Sequence, residues 1–361
     1  MASALALERK VAIQAVLQAS KVCQSVFKNL VSGETITKND KSPVTVADFS
    51  AQAVVNTYLR QHFPTDPIVG EEDSKDLRGE AGKALREKVH ELTNGVFPAS
   101  EQLSEDKLLE AIDRGNYAGG ATGRKFLPAN EIFSEAFDGS GFTYYKPHTG
   151  HWALDPIDGT KGFLRGGQYA VCLALIVNGE VQLGVMGCPN LPVDAKQPNG
   201  PKGSLFIAVK GEGAFQRSFT DSNETPIKFS DIKTTQEATF CESVESGHSS
   251  HSDSAKIAEL LGITREPVRM DSQAKYCSIS RGDGDIYLRL PVSETYVEKI
   301  WDHASGSLLV TEAGGAVSDV NGNKLDFSVG RTLSKNKGVI ASKASIHSEV
   351  LKAVHEVLSK K

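Results

Sequence analysis

The sequence predicts a layered α/β sandwich, with an α+β N-terminal lobe built on an antiparallel sheet and a smaller α/β C-terminal lobe. Three observations carry this. Residues 5–31 and 45–62 place apolar side chains at helical spacing, so the chain opens on two helices. From residue 151, apolar runs broken by turn residues predict successive antiparallel strands. After about residue 230, strand-like and helix-like runs alternate, as stacked layers require. A chain of 361 residues also exceeds the length at which one core stops growing. Two lobes are therefore expected, residues 1–230 and 231–361.

Taken in order, the first helix starts in MASALALERKVAIQ, where Glu8, Arg9 and Lys10 fall where a signal peptide would be apolar. Residues 68–73, IVGEED, read as a short strand ending on a glycine. Residues 74–125 are polar, with two surface helices in LREKVHELTNG and SEDKLLEAIDRG and a Gly-rich connection around Gly115–Gly123. YAVCLALIV, Asn178-Gly179 and EVQLGVMGC form a hairpin, because Asn-Gly suits a type I′ turn. SLFIAV and a GEG turn continue the sheet. The second lobe follows as ATFCESV, a helix from about 252, VRMDS, a helical AKYCSIS, DIYLRL, a helix from about 301, then AVSDV and GVIAS.

Composition narrows the class. Hydrophobic residues at 39% and charged ones at 24% are those of an ordinary globular protein, and no apolar run is long enough to span a membrane. A net charge of −5 argues against nucleic-acid binding through a broad basic face. Five scattered cysteines without a CxxC predict reduced thiols in a cytoplasmic protein. The Ser-Lys-Lys end misses the peroxisomal SKL address. A monomer acting on a small molecule is expected.

Chemistry concentrates in WALDPIDGTKGF. Pro156 restricts Asp155 to extended backbone, so Asp155 should end a strand. Gly159 permits a tight turn and Thr160 can open a helix behind it. Two carboxylates, Asp155 and Asp158, and the Ile157 carbonyl then share one side of the turn. Hard oxygens of this kind suit Mg²⁺, and free N–H groups beyond them suit a phosphate. A plain Asx-turn is the ordinary alternative. Three more acidic positions gather at element ends: Glu71 and Glu72 after the IVG strand, Asp48 at a helix start, and Asp302 in the first turn of a helix ending on Gly314-Gly315. Dipole or capping roles are their ordinary alternatives. Ala304, Ser305 and Gly306 are small enough to let something approach the Asp302 helix closely.

WALDPIDGTKGF, IVGEED and IWDHASGSLLVTEAGG resemble the three signature stretches of the inositol monophosphatase superfamily of Mg²⁺-dependent, lithium-sensitive phosphomonoesterases, over nearly the whole chain. Within it, KSPVTVADFSAQ, the insert at 74–130, VESGHSSHS, MDSQAKYCSISRG and DIYLRLP resemble the fungal and plant 3′(2′),5′-bisphosphate nucleotidases. The resemblance implies an αβαβα sandwich. It also implies removal of the 3′-phosphate from adenosine 3′,5′-bisphosphate and from 3′-phosphoadenylyl sulfate, a reaction of sulfate assimilation linked to salt tolerance. By position it implies two or three Mg²⁺ ions on Glu71, Asp155, the Ile157 carbonyl, Asp158 and Asp302. Asp48 and Thr160 would orient and deprotonate the attacking water, Gly159 and Thr160 would hold phosphate oxygens, and His248, Ser272, Lys275 and Arg289 would hold the nucleotide, with Asp302 also touching substrate.

Physical argument leads the same way: two cations clamp an in-line displacement, water attacks directly, and no phosphoenzyme forms. A polyanionic substrate on an acidic protein needs local cations, for which Lys275 and Arg289 are candidates and Arg281 a further neighbour, solvated surface charge being the alternative for each. Li⁺, close to Mg²⁺ in size but singly charged, should inhibit, as should Na⁺. His148 and His151 read as loop and strand-start residues, His303 as turned away from the site, and Arg281-Gly282-Asp283 as a turn. An inositol-phosphate phosphatase, a fructose-1,6-bisphosphatase and a catalytically idle ligand sensor remain the rival readings.

Overall fold

The structure is a computed structural model that describes residues 5–31, 43–120, 150–244, 251–291, 293 and 295–360. The chain opens on helices α1 (Ala6–Val31) and α2 (Pro43–His62), which lie against one another. Strand β1 (Ile68–Gly70) follows, then α3 (Lys83–Asn94) and α4 (Glu105–Asp113). These two helices are not simply decoration: Leu85, Val89, Leu108 and Ile112 pack with Val46, Phe49 and Ala53 of α2 into a satellite core.

Strand β2 (Gly150–Asp158) leads into the five-residue helix α5 (Thr160–Leu164). Strands β3 (Ala170–Val177), β4 (Glu180–Pro192), β5 (Lys202–Val209), β6 (Gly213–Ser218) and β7 (Thr225–Pro226) complete a seven-stranded sheet in sequence order. All its pairings are antiparallel except β1–β2, where Ile68 faces Trp152 in a parallel register. The hairpin between β3 and β4 turns on Asn178 (φ 54°) and Gly179 (φ 76°), both left-handed as a type I′ turn demands.

The remainder comprises β8 (Cys241–Glu242), α6 (His251–Leu261), β9 (Val268–Arg269), α7 (Ala274–Ser280), β10 (Ile286–Arg289), α8 (Ala304–Glu312), β11 (Gly315–Ser318), β12 (Val339–Lys343) and α9 (His347–Leu358). Strands β10, β12 and β11 form a second, antiparallel sheet.

Alternation along each strand sorts the side chains into layers. Leu154, Leu173, Leu175, Val185 and Ile207 meet α1 and α2 on one face of the large sheet. Cys172, Ala174, Met186 and Phe206 meet α7 and α8 on the other. Those two helices are covered in turn by Tyr287 and Ala341 of the small sheet, whose outer face (Ile286, Leu288, Ile340) packs on α6 and α9. The order is the expected αβαβα. Helix α8 is therefore buried from Ala304 to Val310, with only small polar residues, Ser305 and Ser307, in that stretch, as suits a helix between two sheets. All five cysteines are free and buried. No described helix is long and apolar enough to cross a membrane.

Candidate active site

Three segments far apart in sequence converge beyond the ends of β1 and β2. Strand β2 does not stop at Asp155 as Pro156 suggests. It runs on to Asp158, and its register against β3 shifts between those two residues. The irregularity absorbs the proline, which cannot donate to the ladder, and leaves Asp155 buried while Asp158 reaches the open end. Gly159 then takes φ 91°, and a Cβ there would come 2.6 Å from the Ser272 Cβ. Only glycine meets both demands, and the close approach seats the turn on the loop before α7.

Asp302 does not lie in a helix. It precedes α8 by two residues, because His303 (φ −135°) is the non-helical residue before the first turn. The small residues that follow serve as anticipated: a Cβ on Gly306 would stand 2.2 Å from the Tyr276 ring, so α7 and α8 touch there. Asp48 is the sixth residue of α2 rather than its start.

One oxygen from each of Asp155, Asp158 and Asp302 lies within 4.8 Å of the others. Glu71 lines the same cavity, and its charge acts on Asp155. Burial, reinforced by these neighbours, pushes Asp155 and Asp302 well above the usual carboxylate range, and Glu71 from 4.5 to about 7. Burial, then the charges of Glu71 and Glu72, raises Asp48 likewise. Asp155 Oδ1 and Asp48 Oδ1 are buried without a hydrogen-bond partner. Orphaned acceptors among crowded like charges are what a hard divalent cation relieves, so the residues present fit such an ion.

A cavity of about 310 Å³ joins this cluster to the second half of the chain. Glu71, Asp155, Ile157, Asp158, Gly159, Thr160, Ser272, Lys275, Arg289 and Asp302 all line it. Asp48 stands behind Glu71, on a helix that packs against α5. His248, like His148 and Gly123, lies outside the described residues.

Lys275 is buried, not a solvated charge. Its Nζ donates to the Ser272 carbonyl at 2.7 Å and lies 5.2 Å from the Tyr287 ring centre, and burial lowers its pKa. Arg289 pairs with Glu298 at 3.1 Å. Burial would lower Arg289, but Tyr287 and Glu298 outweigh it and hold the guanidinium charged. Arg281 is not a cavity residue: it is tied to Asp283 at 2.6 Å and to the Pro192 carbonyl at 2.8 Å, closing the turn expected there.

His303 corrects an expectation. It lines the cavity instead of turning away, since no regular helix yet sets its direction. Its Nε2 meets Glu298 at 3.1 Å and its Nδ1 meets the Tyr276 hydroxyl at 2.8 Å. Burial would raise Glu298, yet His303 and Arg289 bring it down to about 2. The clamps on the Glu71 segment were also not foreseen. Gln52 holds the Glu72 N–H and carbonyl, while Arg331 donates to the Gly70 and Gly115 carbonyls and lies 4.8 Å from the Trp301 ring. No local spacing signals such contacts, which span up to 261 residues.

Known proteins resemble this chain along nearly its whole length. Residues 78–359 match the model of the inositol monophosphatase family. A 3′(2′),5′-bisphosphate nucleotidase of Schizosaccharomyces pombe is 47% identical, covering 98% of this chain and 96% of its own. One from Emericella nidulans is 46% identical, covering 97% and 98%. The solved inositol monophosphatase of Anabaena superposes with a TM-score of 0.58 at 21% identity, covering 99% of this chain and all of its own, which supports the fold.

Proposed function

The chain belongs to the inositol monophosphatase family, and from that premise we propose that it hydrolyses the 3′-phosphate of adenosine 3′,5′-bisphosphate to AMP and phosphate, and that of 3′-phosphoadenylyl sulfate to adenylyl sulfate. The observation that carries this is one cavity holding both an acidic cluster and two cations, the buried Lys275 and the half-buried Arg289. Its volume falls at the lower end of the range for small-molecule sites. A metal cluster alone would serve many phosphate esters; a second anion pocket favours a bisphosphate.

Glu71, Asp155, the Ile157 carbonyl, Asp158 and Asp302 would hold two or three Mg²⁺ ions. Bound there, Mg²⁺ acidifies water and neutralises phosphoryl charge. Asp48 would take the proton of the attacking water through Thr160. The Gly159 and Thr160 N–H groups would hold phosphate oxygens as charge builds on them. Ser272, Lys275 and Arg289 would seat the nucleotide and its 5′-phosphate, with His248 as a further partner and Asp302 beside the substrate. Attack is read as direct, so rapid quench with labelled substrate should trap no phosphoprotein. Li⁺ and Na⁺ should inhibit.

The division of labour follows the two proposed lobes. Residues 1–230 supply most metal ligands, and residues 231–361 supply the nucleotide pocket and Asp302. The large sheet ending at Pro226 and the small sheet beginning at Ile286 support that division. A cytoplasmic monomer fits free buried thiols and the absence of a membrane-spanning helix among the described residues.

The deciding assay is phosphate release from adenosine 3′,5′-bisphosphate and inositol 1-phosphate side by side, with Mg²⁺ and with EDTA. Mg²⁺-dependent release from the nucleotide, yielding AMP, is expected. Preference for the inositol phosphate would assign the same metal centre to the rival substrate class, and Mg²⁺ binding without any turnover would make the chain a sensor.

A further inference from the structure

We infer that Gln273 is a positioning residue that sets the separation of the Asp158 and Asp302 carboxylates. It touches both acid-bearing segments at once. Its backbone N–H donates to Asp158 Oδ2. Its side-chain Nε2 donates to the carbonyl of Trp301, the residue before Asp302, at 2.9 Å. Its Oε1 accepts from Ser305 Oγ in the first turn of α8 at 3.2 Å. Gln273 is 3% exposed, and its two side-chain bonds are buried away from competing water.

The local backbone reinforces the reading. Ser272 adopts φ 67°, a left-handed conformation that costs a side-chain-bearing residue on the order of 1–3 kcal/mol and persists where its surroundings over-determine it. Here Gly159 packs on the Ser272 Cβ from one side. On the other side the next residue, Gln273, is anchored by its bonds to Asp158, Trp301 and Ser305. The strained turn aims the Gln273 N–H at Asp158 while its side chain reaches back to α8.

The need for a brace follows from charge. Asp158 and Asp302 bring carboxylate oxygens within 4.8 Å of each other. Left free, the two segments would separate to relieve the repulsion of like charges. Gln273 holds them at cation-binding spacing before any ion arrives, which lowers the reorganisation that binding requires. A glutamine is suited to this because one planar amide gives and accepts a hydrogen bond along the same edge. Glutamate would set an oxygen against the Trp301 carbonyl.

The inference rests on the reading that these carboxylates bind a divalent cation, and the test separates the two. Mg²⁺ is titrated calorimetrically into metal-stripped full-length wild type, Gln273→Glu and Gln273→Met, with thermal midpoints in EDTA and kcat and KM for adenosine 3′,5′-bisphosphate at saturating Mg²⁺. Both variants should fold, and their Mg²⁺ dissociation constants should rise about 10- to 100-fold. kcat should fall, while KM for the nucleotide stays within about two-fold. Should one variant fail to fold in EDTA, the other carries the test; failure of both overturns the positioning role in favour of a purely structural one. Unchanged Mg²⁺ affinity in a folded variant also overturns it, as does a raised KM with unchanged Mg²⁺ affinity, which would make Gln273 a substrate contact. If wild type itself binds no Mg²⁺, the reading of the carboxylates fails instead.

Discussion

Replacing Gly306 by alanine sets two effects of opposite sign against each other. Within a helix, Gly→Ala favours folding by about 1 kcal/mol, because alanine loses less backbone freedom. At this position, however, the added Cβ would stand 2.2 Å from Tyr276 Cδ2 and 2.4 Å from its Cγ. Carbon atoms pack at about 3.5–4.0 Å, so the ring must retreat by more than about 1 Å. It has nowhere to go. Tyr276 is fully buried, its ring packs edge-on to Tyr287 at 4.9 Å, and its hydroxyl is bonded to His303. Overpacking of this kind costs about 1–3 kcal/mol, and loosening the aromatic pair adds about 0.5–1.5 kcal/mol. The clash wins, and Gly306→Ala should lose about 0.5–3.5 kcal/mol net. In urea the midpoint should fall with an unchanged slope, the signature of lost stability without a changed denatured state. Because α7 carries Lys275, KM for the nucleotide should rise as well. A midpoint at or above that of wild type would mean that α7 and α8 are not in contact as described.

Asp155→Asn and Asp158→Asn should each abolish turnover while the metal-free variants stay folded, with Asp155→Asn at least as stable as wild type, since a neutral amide relieves the repulsion around Asp155; a marked loss of stability in EDTA would refute this. Mg²⁺ at one hundred times its dissociation constant should raise the stability of the stripped protein by about 2.7 kcal/mol, read as a thermal midpoint against EDTA. Burial lowers His151 from 6.5 to about 4. Between those values the unfolded imidazole takes up a proton that the folded one refuses, so stability should fall as the pH drops, by about 3 kcal/mol in all. Glu71 titrates with the opposite slope nearby, so the measurement is the difference between wild type and His151→Phe in urea from pH 4 to 7, and a constant difference would refute it. Lys275→Ala should raise KM for the nucleotide more than it lowers kcat, because its contact exists in ground and transition states alike; a normal KM removes Lys275 from the site.

The parts legible in the sequence were those with short-range signatures. Asn178-Gly179 specified its hairpin because both residues tolerate left-handed backbone, and the alternating strands around it needed no partner to be recognised. DPIDGT announced an acidic turn for the same local reason. What misled was the behaviour of single residues under tertiary constraint. Pro156 looked like a strand end, but a register shift accommodates it inside β2. Asp302 and His303 looked helical, but the contacts of His303 with Glu298 and Tyr276 belong to a residue outside the helix. The parallel β1–β2 pair and the Gln52 and Arg331 clamps depend on partners that no sequence window contains, whereas the final helix α9 carries Val350, Ala353, Val354 and Val357 at helical spacing within its own window.

The carboxylates of the cavity are separated along the chain by 231 residues, from Glu71 to Asp302. Contacts of such long range are slow to form, because the loop between them must lose its entropy before they are rewarded. Activity should therefore be the last property to return on refolding, later than the signal of the seven-stranded sheet. During synthesis the large sheet is complete by Pro226, well before Trp301 and Asp302 leave the ribosome. For that interval the nascent chain carries three buried-in-waiting acids without their fourth, and the proposed metal centre stays incomplete until Asp302 has been added.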